Sequence, residues 1–259
     1  MDAINNFSFV QKQYATTGNL RTRISIHSKY STNPQGFGNW IFSQYHIAPG
    51  SRVLELGCGT GEIWHGRDDL IASLKELVLS DFSPAMVAES ERNVGHHANL
   101  EYRCIDIQQI PCAAGSFDVV IANMMLYHVP DLDRALTEVR RVLTPDGIFY
   151  CATYGENGII SYLSRLLAPY GVEDNLNKSF TLQNGEAILK RHFSHVKRQD
   201  YPDSLAVTDL GDMVDYIYSL SSMTALSAVP KADIRQLLQA HMADGVLHVP
   251  KEYGIFQAR

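Results

Sequence analysis

An apolar run, Val53-Leu54-Glu55-Leu56, that ends directly in Gly57-Cys58-Gly59-Thr60-Gly61 constrains this chain more than any other segment. Val53, Leu54 and Leu56 read as a buried parallel strand, which needs no polar face. Glycines at alternate positions straight after such a strand allow positive φ and let backbone approach a ligand where a Cβ would clash. The unit is strand, tight turn and helix start, the place where an open α/β sheet receives a nucleotide-shaped ligand.

The spacing narrows that ligand. A dinucleotide fingerprint is G-x-G-x-x-G, completed about 20 residues later by an acid for the ribose. Here Gly57, Gly59 and Gly61 make G-x-G-x-G, and the position of the last fingerprint glycine holds Glu62. A carboxylate at that helix start disfavours a diphosphate, which binds such N-termini through its negative charge. The ribose acid is nonetheless present as Asp81, after the second apolar strand Leu77-Val78-Leu79-Ser80. Two adjacent ribose hydroxyls can donate to one carboxylate. A nucleoside without phosphates fits these residues best.

Glu55 to Gly61 followed by Asp81 resembles the signature of class I S-adenosylmethionine-dependent methyltransferases. Cys104-Ile105-Asp106-Ile107 with Ile110-Pro111, then Phe117-Asp118-Val119-Val120-Ile121-Ala122-Asn123, then Leu126-Tyr127-His128-Val129-Pro130-Asp131 resemble the next three blocks of that family, in its order. The branch most similar is the small-molecule one that includes ubiquinone and menaquinone biosynthesis. The resemblance is strong over 52–154 and weaker towards the C-terminus. It implies S-adenosylmethionine as cofactor, S-adenosylhomocysteine as product, and a small-molecule acceptor.

Strands alternate with helical or loop segments along the chain, the pattern of a parallel sheet covered on both faces. Expected strands are 52–56, 77–81, 100–106, 117–123 and 148–153. Ser83-Pro84 reads as a helix start with Ser83 as cap and with Met86 and Val87 facing the sheet. Leu132, Ala135, Leu136, Val139 and Leu143 recur at helical spacing after Asp131, and Thr144-Pro145-Asp146-Gly147 reads as the turn out. The stretch 61–75 is irregular, with Gly66 interrupting it, so the first helix is expected to be short. Further helices are expected over 159–167, 181–192, 209–220 and 231–242, and a strand over 193–201.

The fold class expected is α/β, a Rossmann-like seven-stranded, mostly parallel sheet with helices on both faces. An N-terminal helical lid and a helical insertion before the last strand complete it. One domain is expected, divided into a lid over 1–50, a cofactor-binding core over 51–155, a substrate cover over 156–245 and a C-terminal hairpin over 246–259 that completes the sheet. By resemblance, the last strand inserts between the fifth and sixth.

Length and charge limit the partners. The 259 residues, 45% hydrophobic, can bury a full core. A net charge of -6 and the lack of a Lys/Arg-rich run argue against a nucleic-acid groove. No segment approaches the roughly 20 apolar residues of a membrane span, so no membrane insertion is expected and the location reads as cytoplasmic. The four cysteines, Cys58, Cys104, Cys112 and Cys151, have no C-x-x-C spacing and are expected as reduced thiols. His96-His97 and His192/His195 have no third ligand nearby, so no metal is expected.

Residue roles follow from the matched motifs. Glu55 is expected to accept hydrogen bonds in the glycine-turn network or from the cofactor amine. Gly57, Cys58, Gly59 and Gly61 line the methionine and ribose portions, Asp81 holds the ribose, and Phe82 and Met86 contact the adenine or ribose edge. Asp106 accepts from the adenine amino group while the Ile107 N–H meets a ring nitrogen, and Asn123 holds the amino group of the cofactor. His128 is the candidate general base, since it follows the fourth strand and titrates near neutral pH; a backbone-bonded histidine is its other reading. Arg23, His27 and Tyr30 are candidate lid or substrate residues, against a solvated helix face. Two other functions stay open: a fold that binds the cofactor without transferring methyl, and a nicotinamide-dependent reductase, which the glycine spacing and Glu62 disfavour.

Overall fold

A computed structural model describes residues 17–259, apart from the side chains of 17–21, 24 and 221–224. The first part of the expected lid, 1–16, lies outside the described residues. Nine strands occur among them: β1 (Arg52–Leu56), β2 (Glu76–Asp81), β3 (Leu100–Cys104), β4 (Phe117–Ile121), β5 (Leu143–Tyr154), β6 (Val196–Tyr201), β7 (Ser204–Val207), β8 (Leu247–Pro250) and β9 (Tyr253–Ala258). The chain forms two compact units. Of the described residues, one comprises 37–153, 179–200 and 254–259; the other comprises 17–36, 154–178 and 201–253.

The sheet unit is built on seven strands in the order β3-β2-β1-β4-β5-β9-β6. β1, β2, β3, β4 and β5 are parallel to their neighbours among themselves. The last strand lies between β5 and β6, as expected. Runs such as Val53-Leu54 and Leu77-Val78-Leu79 are fully buried, because helices shield both faces. Chain order reverses between β1 and β4, so their carboxyl ends open the switch-point crevice where such sheets bind ligands. Arg52 fixes the other end of that pair, donating from its backbone N, Nε and Nη2 to Asp118 at 2.9, 3.2 and 3.0 Å.

The helix Leu132–Val142 buries Ala135, Leu136, Val139 and Val142, and Asp131 caps it by accepting from the Arg134 amide at 3.0 Å. Thr144 to Gly147 falls where the β4–β5 register jumps from Phe117↔Leu143 to Val119↔Ile148, so the expected turn is extra chain within β5. The irregular stretch after Gly61 forms a 3-10 turn, Glu62–Trp64, and a short helix, Asp68–Ser73. The helix expected over 181–192 is confined to Gly185–Leu189, because the Asn184 side chain accepts from the Thr181 amide at 2.7 Å and makes a turn there instead.

The other unit packs the helices Thr17–Tyr30, Ile159–Leu167, Leu210–Ser219 and Lys231–Gln239 with the two-stranded sheet β7-β8. Its own core includes Ile26, Leu163, Leu205, Met213, Ile217, Leu238 and Val249. The hairpin expected over 246–259 is corrected here. β8 pairs antiparallel with β7, Leu247 opposite Val207 and Val249 opposite Leu205, and only β9 enters the large sheet. Leu247 and Val249 point to one side of β8, and that side is buried in this second core.

Candidate functional site

The glycine turn is clamped from β2. The Cys58 amide donates to Ser80 O at 2.8 Å, and Gly61 N closes the turn onto Cys58 O at 2.9 Å. Gly57, Gly59 and Gly61 all have positive φ, at 73°, 56° and 72°. A Cβ at Gly57 would lie 2.8 Å from Met125 Cγ, and one at Gly61 only 2.4 Å from Ser90 Oγ. At Gly59 it would meet nothing within 4 Å, so this face of the turn is open.

Asp81 joins the turn to β2. Its Oδ2 accepts from the Gly59 amide at 3.0 Å and its Oδ1 from the Ser83 amide at 2.8 Å. Burial pushes its carboxyl up while these amides act against that. The carboxylate is thus oriented by backbone at both oxygens and retains lone pairs for further donors. Phe82, next in sequence, is 55% exposed, a large apolar side chain beside a fixed acid. Ser83 occupies the cap position of the helix Pro84–Val94 without a side-chain cap bond; the Met86 amide that its hydroxyl would satisfy donates to Ser83 O at 3.1 Å. Ser90 and Val94, not Met86 and Val87, are the buried residues of that helix. Met86 is half-buried. Burial pushes the Cys58 thiol well up, so it stays protonated.

Glu55 is 2% exposed, and its bonds differ from the expected ones. Oε2 accepts from the Trp64 indole at 2.6 Å, and Oε1 faces the Asn123 amide nitrogen at a long 3.5 Å. The Asn123 amide nitrogen also donates to Tyr45 Oη at 2.6 Å. Glu55 therefore anchors a buried side-chain network and not the amides of the glycine turn. Burial pushes its carboxyl up to about 7. Asn123 Oδ1 is buried with no partner.

After Asn123 the chain turns sharply at Met124, a non-glycine residue with φ of 53°, held by its amide bond to Ala152 O at 2.8 Å. Such strain is characteristic of functional turns. It delivers Met125 onto Gly57 and leads into the 3-10 turn Leu126–His128. His128 Nδ1 is buried without a partner, its ring lies 4.5 Å from that of Tyr127, and burial lowers its pKa. A neutral imidazole results, with one nitrogen available.

Asp106 follows β3 and turns back on itself, its Oδ1 accepting from the Gln108 amide at 2.8 Å and from Gln108 Nε2 at 3.1 Å. The Ile107 side chain is in the core. Glu55, Gly57, Cys58, Gly59, Gly61, Asp81, Phe82, Met86, Asp106, Ile107, Asn123 and His128 all belong to the sheet unit. Arg23, His27 and Tyr30 belong to the other. There Tyr30 Oη donates to Asp212 at 2.6 Å, and the His27 ring meets Tyr216 and Tyr253 edge-on. Sequence reasoning passed over Trp64, Met124 and Met125. Trp64 lies in a stretch without periodicity, and nothing in a Met-Met pair announces a positive φ.

Residues 54–151 match the profile of a family described as the methyltransferase domain. Malonyl-[acyl-carrier protein] O-methyltransferase of Geobacter sulfurreducens is 30% identical over 146 residues, 54% of this chain and 54% of that protein. The ubiquinone/menaquinone biosynthesis C-methyltransferase UbiE of Haemophilus ducreyi is 31% identical over 104 residues, 39% of this chain and 40% of that protein. The chain thus spans about half the length of the curated relatives it matches. In fold it is similar to the structure of the BH2331 protein of Bacillus halodurans C-125, with TM-score 0.57, 13% identity, and 86% and 98% of the two chains covered. It is likewise similar to Haemonchus contortus phosphoethanolamine N-methyltransferase 2 in complex with S-adenosyl-L-methionine, with TM-score 0.58, 18% identity, and 100% and 60% covered.

Proposed function

We propose, for a chain whose residues 54–151 belong to the methyltransferase domain family, that it transfers a methyl group from S-adenosylmethionine to a small-molecule acceptor and leaves S-adenosylhomocysteine. The observation that carries this reading is the open face of Gly59 beside Asp81, whose two oxygens are held by the Gly59 and Ser83 amides next to exposed Phe82. A phosphate-free nucleoside suits that surface: an acid for the ribose hydroxyls, an aromatic face for the base, and backbone without a Cβ in the way. The unpartnered Asn123 Oδ1 offers an acceptor for an ammonium group at the end of β4.

When bound, the cofactor supplies a methyl already activated on a sulfonium. The chain then has to bind, orient and exclude water. In this reading Asp81 and Phe82 hold the adenosyl group with Met86 at its edge, and Asp106 with the Ile107 amide selects adenine. Gly57, Cys58, Gly59 and Gly61 line the remainder, and Glu55 keeps Asn123 in place. His128, kept neutral by burial, is the group able to take a proton from an acceptor that must lose one. The free thiols Cys58, Cys104, Cys112 and Cys151 suit a reducing cytoplasm. No helix among the described residues is long and apolar enough to cross a membrane.

Titration calorimetry with S-adenosylhomocysteine tests the reading. Asp81→Ala should weaken binding by about 1.5 to 3 kcal/mol, the worth of hydrogen bonds to a charged group. An unchanged affinity, or binding of NADH in place of the adenosyl ligand, overturns it. Transfer of labelled methyl from S-adenosylmethionine into a metabolite extract then identifies the acceptor.

A further inference from the structure

Tyr45, just past the helix Phe37–Ser43, is buried in the sheet unit, and its hydroxyl meets a side chain at the end of β4. Tyr45 Oη accepts from Asn123 Nδ2 at 2.6 Å. The ring is fixed independently of that bond, since it packs on Tyr150 with centroids 5.0 Å apart and edge-on to Phe42 at 5.5 Å. Tyr150 is tied to the same segment, its Oη accepting from the His46 amide at 3.0 Å. Burial pushes the Tyr45 phenol well above its ordinary value, so the hydroxyl stays neutral. A phenylalanine would pack these rings equally well. What the hydroxyl adds is the bond to Asn123.

Asn123 has little freedom except about its side chain. The amides on either side of it are taken by β5, Ala122 N donating to Tyr150 O at 2.9 Å and Met124 N to Ala152 O at 2.8 Å. It follows the Glu55↔Ile121 pair of β1 and β4 by two residues, which sets it level with Gly57 at the carboxyl ends of these strands. A terminal amide can turn either its nitrogen or its oxygen towards a neighbour. Glu55 decides which: its Oε1 stands 3.5 Å away, and a carboxylate attracts N–H and repels C=O. Glu55 is itself oriented by the Trp64 indole, 2.6 Å from its other oxygen. With Nδ2 held between Tyr45 and Glu55, Asn123 Oδ1 is turned away from both and is buried with no partner. An acceptor kept in that state costs stability unless a donor reaches it. The carboxylate one amide away makes a cationic donor the preferred one.

We infer that Tyr45 is a positioning residue, whose hydroxyl holds the Asn123 amide so that Oδ1 faces the ammonium group of the cofactor. This role rests on the S-adenosylmethionine reading of the crevice and adds to it what selects the amino-acid end of that molecule. Titration calorimetry at about pH 8, above the value of about 7 to which burial pushes Glu55, compares S-adenosylhomocysteine with its deamino analogue, in which hydrogen replaces the ammonium. The wild-type chain should prefer S-adenosylhomocysteine at least about tenfold. Tyr45→Phe, which keeps the ring and its packing, should weaken S-adenosylhomocysteine about five- to tenfold and leave the analogue within about twofold. Asn123→Ala should abolish the preference. In that background Tyr45→Phe should weaken S-adenosylhomocysteine no further, because a residue acting through Asn123 has nothing left to orient. Equal weakening of both ligands by Tyr45→Phe, or a full additional loss in the double variant, reduces Tyr45 to packing and overturns the inference. Equal affinity of the wild-type chain for the two ligands also overturns it, whether or not the variants fold, and leaves the S-adenosylmethionine reading standing. A wild-type chain that binds neither ligand overturns both.

Discussion

Gly57, Gly59 and Gly61 share a backbone conformation and differ in their surroundings, which separates fold from ligand at the level of single residues. An alanine at any of them adopts a left-handed φ at a cost of about 1 to 2 kcal/mol. At Gly57 and Gly61 the added methyl also strikes Met125, Ser90 or Val94, so a further loss of about 1 to 3 kcal/mol from overpacking is expected. Gly59→Ala meets no atom of the chain. Urea denaturation should therefore rank Gly59→Ala as the mildest of the three, while calorimetry should show its affinity for S-adenosylhomocysteine reduced at least as much as in the other two. A Gly59→Ala protein that binds as wild type would mean that the open face is not a ligand face. The sequence disclosed all three glycines and Asp81, because turn chemistry and strand ends are local. It did not disclose the partner of Glu55. The indole of Trp64 reaches that carboxylate through an irregular turn, and a contact of this kind leaves no periodic trace.

Among the elements, the helix Leu132–Val142 was the most legible, since its buried residues recur at helical spacing and its cap immediately precedes it. What spacing could not convey is its second task. Arg141 donates to Ile110 O at 2.8 Å and Cys112 O at 2.7 Å, and Glu138 accepts from the Ile110 amide at 2.9 Å. The pair grips the chain between β3 and β4, the segment that carries Asp106 and Ile107. Arg141→Met removes the side-chain donor of Cys112 O and leaves Ile110 O with the Cys112 amide alone, and its expected cost is about 1 to 3 kcal/mol of stability. Faster amide exchange over 105–112 should accompany the loss. Full stability with unchanged exchange would show that the grip is dispensable. Strands β1, β2 and β4 were equally readable as buried apolar runs. β8 was not: a four-residue strand pairs according to which partner the chain brings near, and that is set at a distance of some forty residues, by β7.

For the whole molecule, the chain passes more than once between its two units, leaving and re-entering the sheet unit at Tyr154, Ser179, Tyr201 and Gly254. No linker composition marks these crossings, so the single domain read from the sequence does not separate the units. Two of their buried titratable groups, one in each unit, respond to pH in opposite directions. In the helical unit, burial lowers the His27 pKa from 6.5 to about 4. Below about pH 6.5 the unfolded chain takes up a proton that folded His27 refuses, so stability falls as the pH drops through this window. In the sheet unit, burial raises the Glu55 carboxyl from 4.5 to about 7. Between these values the folded form holds the extra proton, so stability falls as the pH rises. Each contribution is on the order of 2 kcal/mol between pH 5 and pH 8, and the two oppose each other in the wild-type chain. His27→Asn should therefore gain stability from pH 8 to pH 5, and Glu55→Gln should lose it. Trp40 and Trp64 both belong to the sheet unit, so urea melts followed by tryptophan emission report that unit, and circular dichroism reports both. If the two variants keep the wild-type pH dependence by both signals, neither group titrates as its burial requires.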